Sequence, residues 1–109
     1  IRGYYCITHR QKVIHINQTL NEQQQFYTCA HELGHSILHP NLNTPFLKNN
    51  TLFSVNKYEN EANKFAILLL YSDDDFKQYL HLGTPQIAEC LNLSQELIEY
   101  RIRQIDEIN

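Results

Sequence analysis

This sequence has no methionine and no tryptophan, and it has only three glycines, three prolines and three cysteines in 109 residues. The cysteines, Cys6, Cys29 and Cys90, are widely spaced, odd in number and form no CxxC pair. This pattern argues against a disulfide framework and favours free thiols in a reducing compartment. We therefore expect a cytoplasmic protein, and we expect Cys29 to be a small core residue.

Long apolar runs and a surplus of basic residues are also missing. The longest apolar run, FAILLLY at 65–71, is far too short to span a membrane, and no signal peptide is visible. Nine basic residues face twelve acidic ones, which gives a net charge of −3 and a pI near 6.0. This balance argues against broad electrostatic binding to nucleic acid.

The length fits one domain over residues 1–109. Because the chain starts at Ile1 and contains no methionine, we expect a fragment that lacks the natural N-terminus. The apolar pattern predicts an α+β fold that is mostly helical, with a small antiparallel sheet near the N-terminus. Residues 3–7 and 13–17 are rich in β-formers and predict a hairpin.

A first helix is expected from Asn21, a good N-cap with Gln24 three residues later, to about His39, because Pro40 cannot continue it. Residues at helical spacing predict the buried stripe of this helix: Phe26, Ala30, Leu33 and Ile37.

Residues 40–57 predict a loop that holds a short strand at TLFSV. A second helix is expected from about Lys57 to Leu70, with four residues facing inward: Ala62, Phe65, Ala66 and Leu69. Three further helices, which would form a helical cap over residues 71–109, are expected to open at Ser72, Thr84-Pro85 and Ser94. The first of these is expected to end at Gly83.

Three of the six histidines lie within AHELGHSILH, residues 30–39. Residues four apart share one face of a helix, so His31 and His35 can direct both imidazoles at one metal ion. Two neutral imidazoles suit Zn²⁺. Glu32 is turned by about 100° from His31, so we expect it to act as a general base on water rather than as a ligand. The alternative is a surface helix with two exposed histidines beside an acidic residue.

A catalytic zinc ion needs a third protein ligand. His39 is the nearest candidate, but it lies a full turn beyond His35, and we expect it to hydrogen-bond the last carbonyls of the helix. The segment KYENEANKFA, residues 57–66, offers Glu59 and Glu61. These two lie about 200° apart on a helix, so only one of them can face the site.

The neighbours of the two glutamates favour Glu59 as the ligand. Glu61 has Lys57 and Lys64 at the spacing of ordinary surface ion pairs. The i+4 neighbour of Glu59 is Asn63, which can hydrogen-bond a ligand histidine. We therefore expect His31, His35 and Glu59 to hold the zinc ion. Spacing does not identify the residue that stabilises the oxyanion.

AHELGHSILH followed by YENEANKFAILLL resembles the ImmA/IrrE-type zinc metallopeptidases. The resemblance runs from about Ile14 to Ile102 and includes the closing TPQIAECLNLSQELIEYRI. The sequence departs from the family after ILLL, where members often continue with Met-Pro and this chain has Tyr71-Ser72.

The resemblance implies a zincin-like core with Glu32 as the catalytic residue and three zinc ligands, His31, His35 and a glutamate in the position of Glu59. It also implies a protein substrate, a DNA-binding repressor of the helix-turn-helix type, whose cleavage switches on mobile elements or stress genes.

The sequence also allows two other hypotheses of function besides peptidase activity. IAECLNLSQELIEYRI also scans as a helix-turn-helix, which would make the chain a DNA-binding module. The carboxylates of Glu96 and Glu99 would repel DNA, and phosphate contacts need Lys and Arg. We therefore expect these helices to be a structural cap, with no direct binding of nucleic acid. The other alternative is a metal-binding regulator without peptidase activity.

Overall fold

The fold begins with a two-stranded antiparallel sheet. A computed structural model describes residues 2–40 and 52–108, and its first elements are β1 (Gly3–Thr8) and β2 (Gln11–Ile16). Gly3 pairs with Ile16 at one end and Thr8 with Gln11 at the other. His9 and Arg10 form the turn with φ values of 51° and 66°. Two positive φ values match the right-handed twist of the strands, and the predicted hairpin is confirmed.

The first helix, α1 (Glu22–Leu38), begins and ends where the sequence predicts. The side chain of Asn21 accepts a hydrogen bond from the backbone N–H of Gln24, and the Gln24 side chain accepts one from the backbone N–H of Asn21. This capping box satisfies two backbone donors at the helix start. At the other end, the N–H of His39 donates to the carbonyl of His35.

The predicted buried stripe of α1 is wrong in part. Ala30 is buried, but Phe26 is 58% exposed and Ile37 is 55% exposed. The buried residues of this helix are mostly small or polar: Thr28, Ala30, Glu32, Gly34, His35 and Ser36. The hairpin and the next helix both pack against α1, and together they cover its polar motif rather than its apolar stripe. Cys29, expected in the core, is exposed.

The second helix, α2 (Leu52–Leu70), ends where predicted but begins five residues early. The expected strand at TLFSV is wrong, because its last four residues are helical; residues 41–51, which hold most of the expected loop, lie outside the described residues. Ala62 and Ala66 face inward as predicted. Leu69 is instead 55% exposed, and Ile67 is fully buried because it packs against the C-terminal helices.

A glycine allows α1 and α2 to approach closely. A Cβ atom at Gly34 would lie 3.0 Å from the ring of Phe65 on α2, which is tighter than ordinary van der Waals contact. The glycine inside the HELGH motif therefore brings the two helices near enough for side chains beside it to meet.

The C-terminal third consists of α3 (Asp73–Lys77), α4 (Thr84–Leu91) and α5 (Gln95–Ile108). Ser72 and Ser94 cap α3 and α5 by accepting backbone N–H groups, as predicted. The third helix ends at Lys77, and turns rather than helix continue toward Gly83. These helices bury an apolar cluster with the end of α2: Ile67, Phe76, Ile87, Ala88, Leu91, Leu97, Ile98 and Ile105.

The predicted α+β class, with a small N-terminal sheet and a C-terminal helical cap, is confirmed. Within the described ranges, none of the helices has the length and apolar character needed to cross a membrane.

Candidate metal centre

Helices α1 and α2 bring three potential metal ligands together. Nε2 of His31 lies 3.0 Å from Oε2 of Glu59, and Nε2 of His35 lies 2.7 Å from Oε1 of the same carboxylate. The ligand atoms of these three residues all lie within 4.8 Å of one another. Among the residues that the structure describes, this is the one group of three or more such side chains placed to hold a metal ion.

The charges of this cluster stabilise an ionised carboxylate. Burial raises the pKa of Glu59, but hydrogen bonds and charge attraction from His31 and His35 outweigh it and lower the pKa to about 2. Burial lowers the pKa of His31, and its contacts with Glu59, the charge of Glu32 and the hydrogen bond to Asn63 together raise that pKa above its ordinary value. Glu59 is therefore anionic at neutral pH and ready to bind a cation.

Asn63 contacts the nitrogen of the His31 ring that is not directed at Glu59. Nδ1 of His31 lies 2.7 Å from Oδ1 of Asn63, and the hydroxyl of Tyr27 donates to the same oxygen at 2.6 Å. Because this oxygen only accepts, Nδ1 of His31 carries a proton, and Nε2 is the nitrogen directed at Glu59. The hydrogen bond expected between Asn63 and a motif histidine is present.

His39 and Glu61 do not behave as the sequence predicts. The His39 ring contacts Nδ1 of His35 through its own Nδ1 at 3.0 Å, and its Nε2 donates to Oε2 of Glu61 at 3.0 Å. The expected role of the His39 ring at the helix carbonyls is wrong. Surface ion pairs for Glu61 are also wrong: its carboxylate is engaged by His39, and Lys64 lies over the ring of Tyr100.

Glu32 is buried, with 4% of its surface exposed. It follows His31 directly on α1, and its charge acts on His31. The structure thus places an acidic side chain in the interior beside the His31–His35–Glu59 cluster. Burial of a carboxyl group beside a potential metal site is typical of a functional residue rather than of a solvated surface.

Sequence reasoning missed the contact between His39 and Glu61, and also the hydroxyl of Tyr27. The signal for the first was available, because His39 is four residues after His35 and so shares its helix face. The proximity of Glu61 to that face depends on how α2 crosses α1, which local spacing does not determine. Tyr27 is likewise four residues before His31, on the face that meets Asn63.

Comparisons with known proteins agree with the motif. The sequence profile of the peptidase M78 family, described as an IrrE N-terminal-like domain, matches residues 2–103. The chain is 53% identical over 79 residues to immunity region protein 2 of Bacillus phage phi105, which covers 72% of this chain and 50% of that protein. It is 35% identical over 99 residues to metallopeptidase ImmA of Bacillus subtilis (strain 168), with 87% and 57% covered.

The chain spans about half the length of these curated relatives. No solved structure matches it.

Proposed function

This chain belongs to the peptidase M78 family of IrrE N-terminal-like domains, and we propose that it is a cytoplasmic zinc-dependent endopeptidase. The substrate in this proposal is a DNA-binding repressor protein of the helix-turn-helix type. The observation that carries the catalytic part is the convergence of His31, His35 and Glu59 next to the buried Glu32.

The donor set fits zinc. Two imidazole nitrogens and one carboxylate are a ligand set found in catalytic zinc sites, which keep one further position open for water or substrate. In this proposal His31, His35 and Glu59 hold the ion, and Asn63 fixes the ring of His31. When bound, zinc would polarise the substrate carbonyl and make a water molecule acidic enough to react near neutral pH.

Glu32 is the general base of the proposed reaction. It would accept the proton of the attacking water and then donate that proton to the leaving amine. Its position directly after His31 keeps it beside the ligands without competing for the metal, since the helix turns its side chain by about 100°. Its burial shields the carboxylate from bulk water, which strengthens its interaction with the reacting groups.

The substrate class is supported by the family and by the relatives. The family is one of peptidases, so the substrate is a protein or peptide. One relative is a metallopeptidase, and the other is a protein of a phage immunity region. A repressor that keeps a mobile element silent fits both, because its hydrolysis would end that silence. The exposed Glu96 and Glu99 on α5 argue against direct DNA contact by this chain.

The test combines metal analysis with cleavage. We expect the purified protein to hold about one zinc ion per chain and to cut the repressor encoded beside it. Glu32→Gln should retain zinc and lower hydrolysis by ~10²–10⁴-fold, the usual contribution of a positioned general base. Exposed Glu99→Gln serves as the control and should cleave normally. Near-normal cleavage by Glu32→Gln would contradict the assigned role. Zinc binding without cleavage of any repressor would favour a non-catalytic regulator.

A further inference from the structure

His39 is a buried side chain that the proposed reaction does not use. Its ring is 4% exposed, yet both of its nitrogens have protein partners. One partner is His35, a proposed ligand, and the other is Glu61 on the facing helix. A buried imidazole that lies between a proposed metal-ligating histidine and a carboxylate can influence which nitrogen of that histidine carries the proton and how its ring is oriented.

The chemistry of the three side chains sets the direction of the hydrogen bonds. A carboxylate only accepts, so Nε2 of His39 carries a proton and donates it to Glu61. In a neutral imidazole the other nitrogen then has no proton, and Nδ1 of His39 is an acceptor. The contact of His35 Nε2 with Oε1 of Glu59, at 2.7 Å, likewise places a proton on that nitrogen. A metal ion bound at Nε2 would replace this proton, and a neutral His35 would then keep its proton on Nδ1 and donate it to Nδ1 of His39.

We propose that Glu61 and His39 are positioning residues that fix the tautomer and the ring orientation of His35 for metal binding. The proposal rests on the metallopeptidase function proposed above. An imidazole backed by a carboxylate draws the Nδ1 proton of His35 toward itself and makes Nε2 a stronger electron donor. His35 is 1% exposed, so water does not compete for its Nδ1 position.

The ring of His39 is also positioned by the end of α1 and by packing against α2. Its backbone ends α1 by donating to the carbonyl of His35. The ring of Tyr58 on α2 meets it edge to face, with centroids 4.8 Å apart. The ring is therefore held by packing as well as by hydrogen bonds, and a test must separate the two contributions.

Two substitutions at one position make that separation. His39→Phe keeps a planar ring against Tyr58 but removes both hydrogen bonds. His39→Gln loses the ring, but its amide oxygen can accept from His35 while its nitrogen donates to Glu61. Zinc affinity of each purified variant is measured by competition with a chromophoric chelator, and melting of the metal-free protein reports on packing.

We expect His39→Phe to bind zinc ~10–100-fold more weakly, the usual effect of losing such a supporting contact. His39→Gln should recover most of that loss. Glu61→Gln should have an affinity between those of His39→Gln and the wild type, because it keeps a neutral acceptor for His39. Matched controls are His81→Phe and Asn60→Ala, which change exposed residues and should bind zinc normally.

A spectroscopic signature tests the hydrogen bond itself. In zinc-loaded protein with ¹⁵N-labelled histidine, the Nδ1 proton of His35 should be protected from exchange, and a scalar coupling should join the Nδ1 atoms of His35 and His39. His39→Phe should abolish both signals. Absence of the protected proton and of the coupling in the wild type would overturn the proposal, even if His39→Phe fails to fold.

The remaining outcomes of the zinc-affinity and melting measurements also show which of the two proposals is wrong. Wild-type zinc affinity in His39→Phe would overturn the positioning role and leave the proposed peptidase intact. Equal losses of zinc affinity and melting temperature in His39→Phe and His39→Gln would assign His39 to packing alone. A wild-type protein that binds no zinc would overturn both proposals together.

Discussion

The two ends of this chain bury different kinds of side chain. Between α1 and α2 the buried side chains are small or polar, and the polar ones include Glu32, His35 and His39. Around α3, α4 and α5 it is an apolar cluster in which Arg101 is the exception, donating to the carbonyl of Tyr71 and to Asp73. Apolar packing is set by volume, whereas buried polar groups must each find a partner. The apolar cluster around α3, α4 and α5 therefore contributes stability, and the interior between α1 and α2 contributes a site of defined geometry.

The largest expected effect is the loss of the metal in Glu59→Ala. Two histidines alone bind zinc weakly and do not complete a three-ligand site. Zinc should be lost on dialysis, and activity with it, while the far-ultraviolet circular dichroism of the helical cap should persist. Adding zinc should raise the melting temperature of the wild type but not of this variant.

Glu99→Ala, which removes an exposed carboxylate on α5, is the control for Glu59→Ala. Retention of a full zinc complement by Glu59→Ala would show that another residue supplies the third ligand. Collapse of the whole fold in this variant would show that the two ends are not separable as described.

At the apolar end, Ile98→Ala should lower the free energy of unfolding by about 2–5 kcal/mol, because Ile98 is fully buried and its truncation leaves a cavity. Denaturant unfolding measures this. The exposed Leu80 provides a matched control, and Leu80→Ala should change stability by no more than about 0.5 kcal/mol. Below its melting temperature, Ile98→Ala should still bind zinc with wild-type affinity; a large loss would couple the two ends.

Asn63→Ala should weaken zinc binding by ~10–100-fold, about 1.4–2.7 kcal/mol of binding free energy, because the ring of His31 loses its acceptor. Chelator competition measures the change. Asn60→Ala, three residues earlier on α2 and exposed, should have no effect. If the two variants bind zinc equally well, the hydrogen bond between Asn63 and His31 does not contribute to zinc affinity.

The smallest effect is expected for Ser94→Ala, which removes the cap of α5. The hydroxyl of Ser94 accepts the backbone N–H of Leu97, and loss of such a cap costs about 1 kcal/mol. Thermal unfolding should detect it, and zinc affinity should stay at the wild-type value. A stability unchanged within error would mean that water replaces the hydroxyl at this helix start.

Local signals in the sequence predicted much of this fold. The hairpin, the capping box at Asn21, the serine caps and the stop at Pro40 all depend on residues within a few positions of one another. Each is set by backbone hydrogen bonds and allowed dihedral angles, which neighbouring residues determine. The same local rule failed for TLFSV, where β-branched and aromatic residues predict a strand but residues 52–55 form the first turn of α2.

The sequence by itself determined that His31 and His35 share a helix face, since that follows from the helical period. It also favoured Glu59 over Glu61, through Asn63, whose contact with His31 is present, and through lysine pairs of Glu61, which were wrong. Only the tertiary structure decided that α1 buries its polar motif while Phe26 and Ile37 are exposed, and that Glu61 meets His39. The physical reason is that burial and long-range pairing depend on how α2 and the hairpin pack against α1. Periodicity defines the faces of a helix, but packing selects the face that is covered.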